Sequence, residues 1–455
     1  MKKNLTLLTT LLFCSFFLNA QTAWKAANTG YKDKVNNQIL DLDVPDANNI
    51  WGILEDGDFS TLVWQFGFGS HHVMHSHDAG KTWKVDTFAT SGKGGLMSNI
   101  HAFDDKEALV SFLDFGAGPV LFRTTDGAKT WKSEDCKITS FINGVYFWDK
   151  KTGIAFGDPP DTTYSKFDVS LYNNGTWTAI STGIKPLKGE YGTANLFSAA
   201  GNNIWIGTTA ARVLHSPDKG KTWQVSTTTL PYLEHLAART DGKIVAFAGN
   251  YTDTLTKNHK INIATSADFG KTWKDATPKD NNFSVLSPQF IPNTSVLLAS
   301  ARKNNSVGPF RTIISKDFGT SWTVIDEGSQ VGFTDFVSPT VGYASEYKNN
   351  TNELKFFTYS GSAFVGLFSE KTLNVTFRTF PNPTSDALNI KINDLENTDN
   401  ILLINDLEGE LLVKKEYKDI SNLEENIDVS NFPNGIYTIT ISNKNGSYSQ
   451  KIIKQ

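Results

Sequence analysis

The sequence predicts an all-β protein: a seven-bladed β-propeller followed by a small Ig-like β-sandwich. Three observations carry that prediction. A short phrase, first met as "SHDAGKTWK", returns as "TTDGAKTWK", "SPDKGKTWQ", "SADFGKTWK" and "SKDFGTSWT". Its tryptophans, Trp83, Trp131, Trp223, Trp273 and Trp322, are spaced by 48, 92, 50 and 49 residues. After "FFTYSGSAFVG" the rhythm stops, and short alternating segments with Pro/Asn/Gly turns run to the end.

The gap of 92 divides into two of 46 at Trp177, which sits in "SLYNNGTWT" and keeps Asn-Gly, Thr and Trp without the Asp. Trp24, in "AWKAANTG", adds a further copy of the tryptophan ahead of the first phrase. A period near 46 to 50 residues with several short strands per unit is the signature of a propeller. Between phrases runs a second hairpin, as in "LFSAAGNNIWIGT" and "LAARTDGKIVAFAG", with turns rich in Asp, Asn and Gly. Its second strand is apolar on both faces, as a sheet stacked between two others requires. Two hairpins give four strands per unit. The last unit, from Val331 to Tyr359, is one strand short, and "TAWKAAN" is one strand over. The ring is therefore expected to close by adding the N-terminal strand to the last blade, which removes both open edges.

The chain has 455 residues and a formal charge of −4 with the two signs interleaved, which argues against nucleic acid as a partner. The N-terminus reads as a secretory signal over 1–20: Lys2 and Lys3, an apolar run from Leu5 to Leu18, then Ala20. A lipidation reading at Cys14 fails because Phe13 precedes it. Removal of the signal leaves Cys136 as an isolated thiol, so no internal disulfide forms. No other stretch is long and apolar enough for a transmembrane segment.

Each part of the repeated phrase has a structural task. The aspartates Asp78, Asp126, Asp218, Asp268 and Asp317 accept hydrogen bonds from turn amides. Gly80, Gly220, Gly270 and Gly319 supply positive φ; in the second copy Ala128 takes that slot after Gly127, so a different turn is expected there. The tryptophan packs between blades. The pattern S-x-D-x-G-x-T-W resembles the Asp-box, or bacterial neuraminidase repeat, found in sialidases, other glycan hydrolases, sortilin-type receptors and photosystem II assembly factors. Ring size and repeat length look most like the assembly-factor type, and "WDKKTGIAFGDP" resembles that group's secreted bacterial relatives. This resemblance implies the propeller hairpin and leaves function open.

Residues 373–455 contain "PNPTSD", "INDLEGELL", "FPNGIYTITI" and the terminal "KIIKQ". They resemble the C-terminal sorting domain of the type IX secretion system. The resemblance implies that the secretion machinery is a partner, that the cargo of 21–370 is secreted or held at the cell surface, and that the domain is an address rather than an activity.

Ligands of propellers meet the face opposite the Asp-boxes, where loops between second and third strands and between blades converge on the channel. The polar residues on those loops are Asp114, Asp158, Glu190, Tyr191, Arg212, Asp253, Arg302 and Glu346. They are the candidate binding set for a protein or glycan ligand, weighed against solvated loop tips. The alternative is an extracellular glycan-acting hydrolase of sialidase-like propeller type. A sialidase needs three arginines around a carboxylate; here Arg123 and Arg311 lie beside boxes, away from the channel, and the early Arg-Ile-Pro signature is missing. "HHVMHSH" places His71, His75 and His77 on one strand face, a spacing a metal can use. Solvated imidazoles on an outer strand are the preferred reading there, with no metal and no cofactor expected. "GFGSHH" lacks the third glycine and helix of a dinucleotide loop.

Overall fold

The computed structural model describes residues 23–32, 38–55, 72–87, 95–160, 163, 165–250, 260–303, 310–347, 353–364, 373, 375–395, 398–406, 411–443 and 446–455. The expected signal at 1–20 lies outside them. All regular structure among the described residues is strand.

Seven four-stranded antiparallel sheets form the ring. Blade 1 comprises Gln38–Asp43, Ile50–Glu55, His72–Ser76 and Lys84–Thr87, paired in that order. Blades 2 to 6 repeat the meander over 95–134, 142–180, 197–227, 235–275 and 283–327. Blade 7 has Val331–Phe336, Gly342–Glu346 and Lys355–Tyr359, and its outer strand is Trp24–Asn28. Trp24 faces Tyr359 and Asn28 faces Lys355 in antiparallel register. The first strands of blades 1 and 7 touch, so the ring is closed. The Ala23 N–H donates to Asp326 Oδ2 at 2.8 Å, and Trp24 Nε1 donates to Thr312 Oγ1 at 2.7 Å, both buried and both on blade 6. The added strand thus seals blade 7 and pins it to its neighbour.

The second strands are the most buried. Ile244 to Ala248 in blade 5 are fully inaccessible, which explains a run apolar on both faces. The N-terminal strand also explains why blade 7 lacks the repeated phrase. Its third and fourth strands come from opposite ends of the chain, so no hairpin joins them.

The C-terminal segment forms a three-stranded sheet (Thr376–Phe380, Ala387–Asn393, Leu423–Asp428) and a four-stranded sheet (Leu411–Ile420, Thr398–Asn405, Gly435–Asn443, Gly446–Lys454). Leu388, Ile390 and Ile392 from the first share a core with Leu402, Ile404, Ile439, Ile441 and Ile452 from the second. Alternation along each strand sends these residues inward and their neighbours out, the pattern of a sandwich.

Candidate functional site

The repeated turn is one hydrogen-bonded unit whose carboxylate contacts are copied five times. In the first copy Asp78 Oδ1 accepts from the Thr82 N–H at 2.8 Å and Oδ2 accepts from Thr82 Oγ1 at 2.6 Å. Ser76 Oγ accepts from the Gly80 N–H at 2.9 Å, and Trp83 Nε1 donates to the Gly80 carbonyl at 3.0 Å. Asp126, Asp218, Asp268 and Asp317 repeat the carboxylate contacts on Thr130, Thr222, Thr272 and Ser321. The Thr82 hydroxyl and amide hold the Asp78 carboxyl down at about 2, and Thr272 does the same to Asp268. The second copy keeps the carboxylate contacts and the backbone turn, against the expectation from its Gly-Ala order, whereas the bond from tryptophan Nε1 to the turn carbonyl belongs to the other four copies. Ala128 adopts φ 65° and Gly127 φ 73°, because every copy has two successive residues at positive φ. In the degenerate copy Asn174 (φ 45°) and Gly175 (φ 98°) form a two-residue hairpin between Asn173 and Thr176.

Each tryptophan at this position reaches back to the preceding blade. Trp83 packs on Phe356 of blade 7 at 4.5 Å, and Trp131 on Trp51 of blade 1 at 6.4 Å. Trp177 Nε1 donates to Glu134 of blade 2. Trp223 packs into the cluster of Ile154, Phe156 and Leu171 of blade 3. Trp273 Nε1 reaches Ser226 Oγ of blade 4 at 2.9 Å, and Trp322 packs on Phe247 of blade 5 at 6.3 Å. With Trp24 of blade 7 reaching Thr312 of blade 6, the seven tryptophans join all seven blades.

At the opposite face, four of the eight candidates come together at the junction of blades 3 and 4. Glu190 is 1% exposed. Its Oε2 accepts from Arg212 Nη1 and from the Leu187 N–H, both at 2.7 Å, and its Oε1 accepts from Thr208 Oγ1 at 2.6 Å. Tyr191 is exposed and anchored by its N–H, which donates to Thr209 Oγ1 at 3.0 Å. Asp158 Oδ1 accepts from Asn143 Nδ2 and the Gly192 N–H, each at 2.9 Å, and burial raises its carboxyl above the ordinary range. The other candidates stand apart. Asp114 is buried and accepts from the Gly116 N–H at 2.7 Å within its own turn. Glu346 is buried and accepts from the Lys355 N–H at 2.9 Å. Arg302 lies against Phe310 and Tyr347. Asp253 falls outside the described residues.

His75 is not solvated, against the expectation of solvated imidazoles, and His77 is half-buried. His75 is 2% exposed and stacks on Trp51 at 4.8 Å. Its Nε2 lies 2.9 Å from Asp86 Oδ2, and its Nδ1 lies 2.9 Å from His77 Nε2. Burial pulls both imidazoles below their ordinary value. A carboxylate partner therefore exists, supplied across the hairpin rather than along the strand. His71 lies outside the described residues, and no cluster of metal-binding side chains occurs among those described. Cys136 is buried, and burial pushes its thiol up to about 11.

One polar set was missed by sequence reasoning. On the first strands, which line the channel, side chains cap the backbone of the next blade. Asp335 Oδ2 accepts from the Val44 N–H, Asp41 Oδ2 from the Ile100 N–H and Asp43 Oδ2 from the Ala102 N–H, all at 2.8 Å. Asn99 Oδ1 accepts from the Val145 N–H at 2.8 Å, and Ser198 Oγ from the Ala238 N–H at 3.0 Å. Burial pushes Asp41 up to about 7 and, with the Asp43 charge beside it, Asp335 up to about 8. The available signal was a polar residue recurring inside an otherwise apolar first strand, as in "QILDLDV" and "MSNIHAF".

Comparison with known proteins agrees with this anatomy. Residues 378–455 match the secretion system C-terminal sorting domain, and residues 263–276 match the BNR-Asp box repeat. The chain is thus a β-propeller carrying Asp-box repeats with a type IX sorting domain at its C-terminus. That domain indicates secretion or attachment at the cell surface. Among solved structures, "YCF48 bound to D1 peptide" aligns at 15% identity and TM-score 0.50, covering 74% of this chain and 97% of that one. YCF48 from Cyanidioschyzon merolae aligns at 15% identity and TM-score 0.50, covering 74% and 98%. A GH74 enzyme of Niastella koreensis aligns at 12% identity and TM-score 0.47, covering 94% of this chain and 67% of that one. At such identities the two YCF48 likenesses speak to the fold alone. No curated protein matches the chain by sequence.

Proposed function

We propose that this chain is a secreted or surface-held binding module. Residues 1–20 act as signal, 21–370 as the propeller that holds a protein or glycan, and 373–455 as the export address. The observation that carries this reading is the state of the carboxylates at the channel mouth. Asp114, Asp158, Glu190 and Glu346 each accept hydrogen bonds from their own scaffold. A glycosidase needs two carboxyl groups free to meet the scissile bond. Carboxylates spent on turn amides and an internal arginine favour a rigid mouth over a reacting one. Glu190 in particular braces the loop that displays Leu187 and Tyr191, both exposed.

A hydrolase remains the second reading because Asp41 and Asp335 line the channel with carboxyls raised to about 7 and about 8, even though each also accepts a backbone N–H of the next blade. A proton held near neutral pH is what a general acid requires. The experiment is to incubate the exported protein with a panel of glycans, measuring retention and chain length together. Retention without shortening supports the binding module. Shortening that disappears in Asp41→Asn or Asp335→Asn supports the hydrolase instead.

A further inference from the structure

We propose that Arg302 and Tyr347, side by side where blades 6 and 7 meet, bind the carboxylate of an acidic sugar. This rests on the binding-module reading and names its ligand class. Four of the five described propeller arginines are committed to carboxylates. Arg123 bonds Glu134 at 2.7 Å, Arg212 bonds Glu190 at 2.7 Å, Arg239 bonds Asp241 at 2.9 Å and Arg311 bonds Glu327 at 2.9 Å. Arg302 is the exception: among the described residues its guanidinium makes no hydrogen bond or ion pair.

The side chain is nevertheless fixed in place. It leaves the end of the strand Leu297–Lys303, opposite Phe310 in register. Its Cζ sits 4.5 Å from the Phe310 ring centroid and 5.7 Å from that of Tyr347 on blade 7. The two rings lie 4.8 Å apart. Nε is buried without a partner, while the two Nη atoms are not among the buried ones. A guanidinium held on an aromatic shelf with its outer edge open is preorganised for end-on bidentate contact with a planar anion. Tyr347 adds a second donor: its N–H is spent on the Gln330 carbonyl at 2.8 Å, and its hydroxyl makes no hydrogen bond within the described residues.

The chemistry of the surroundings narrows the ligand. One unpaired cation matches a monoanion, which favours a carboxylate over a phosphate dianion. The exposed large apolar residues of the mouth, Phe115, Leu187 and Tyr191, belong to blade 2 and to the connection between blades 3 and 4. None stands beside Arg302 among the described residues. A peptide partner needs exposed apolar anchors, whereas a guanidinium on a largely covered aromatic shelf beside an exposed Gln330 suits a hydroxylated one. The geometry therefore points to a uronic acid residue of a glycan.

The test uses the full exported chain and trigalacturonate, with its methyl ester as the neutral counterpart and tetraglutamate as an acidic peptide, followed by calorimetry. Trigalacturonate should bind and the ester should not. Arg302→Gln should weaken binding about 10- to 100-fold, the loss expected for a charge-assisted contact. Arg302→Lys should weaken it as well, because the fork is lost. Tyr347→Phe, which keeps the ring and guards against a folding defect, should give a smaller loss. The proposal is overturned if wild type ignores trigalacturonate, if acid and ester bind alike, if Arg302→Gln binds as wild type does, or if tetraglutamate binds in its place. Chain-length analysis of the same mixtures separates the two levels: a shortened oligosaccharide defeats the binding-module reading, whatever the arginine variants do.

Discussion

Replacing Asp268 with alanine tests whether the repeated turn is a joint rather than a site. The carboxylate makes three side-chain contacts: Thr272 Oγ1 at 2.6 Å, the Thr272 N–H at 2.9 Å and Ser266 Oγ at 2.8 Å. The turn is exposed, so water competes for each of them, and the sum is about 1–1.5 kcal/mol, the scale of a lost cap. Unfolding entropy of about 2.1 cal/mol/K per residue over roughly 340 residues gives ~0.7 kcal/mol/K, so Tm should fall by about 2 °C. The pH dependence adds a stricter condition. The Thr272 hydroxyl and amide depress the Asp268 carboxyl from 3.8 to about 2. A carboxyl depressed in the folded state stabilises fully above its unfolded value and loses that contribution as pH falls through its folded value. Wild type and variant should therefore differ by a constant amount above about pH 4 and converge as pH approaches 2. Calorimetry across that range is the assay. Equal Tm values at pH 7, or a gap that persists unchanged at pH 2, would refute the reasoning.

The ring was legible because a propeller must solve the same interface problem in every blade, and it solves it with the same tryptophan. Counting strands was enough to place "TAWKAAN" in blade 7, since an orphan strand and a three-stranded blade have one economical solution. The interblade caps at Asp41, Asp43, Asn99 and Asp335 were illegible for a physical reason. A polar residue in a strand reads as a solvent-facing position unless it is known that the strand lines a narrow channel. Asp158, Glu190 and Tyr191 were legible as loop residues, whereas Asp114, Arg212, Arg302 and Glu346, read as loop residues too, stand on strands. That Glu190 turns inward to meet Arg212 depends on how a blade connection folds back, which no local pattern encodes. His75 was misread for a similar reason: the register that sets His75 against Lys84 also brings Asp86 within reach. Arg302 was legible as a charged residue, although it stands on the strand Leu297–Lys303 rather than in a loop, and its lack of a partner depends on what blade 7 places beside it.

Three further outcomes follow from the joints. Trp24→Ala removes a side chain only 3% exposed, together with its bond to Thr312, and should cost about 3–5 kcal/mol in denaturant unfolding of the propeller; a loss below about 1 kcal/mol would mean the closing strand carries little of the ring. Deleting 373–455 should leave the propeller folded and retained inside the outer membrane, and normal levels of the truncated protein at the surface or in the medium would contradict the address reading. The third outcome compares two glycines in the same slot of the repeated turn. Gly80 and Gly220 have φ of 79° and 86°, so alanine at either position costs about 1 kcal/mol of backbone strain. Ala128, at φ 65° in the second copy, is the protein's own demonstration that this strain is tolerable. The two sites differ in what a Cβ would meet. At Gly80 the nearest atom is Phe356 Cδ1 at 3.5 Å, an ordinary contact. At Gly220 it is Leu171 Cδ2 at 2.6 Å, with Ile154 Cδ1 at 3.2 Å behind it. Leu171 is half-buried at the blade 3–4 interface, so its terminal methyl must swing aside against Ile154, and overpacking should add about 1 kcal/mol. Gly220→Ala should therefore destabilise clearly more than Gly80→Ala, and Leu171→Ala should cost less in the Gly220→Ala background than in wild type. Equal costs at the two glycines, or strictly additive effects of Gly220→Ala and Leu171→Ala, would show that backbone strain alone governs the slot and that the turn does not abut the preceding blade as tightly as the distances indicate.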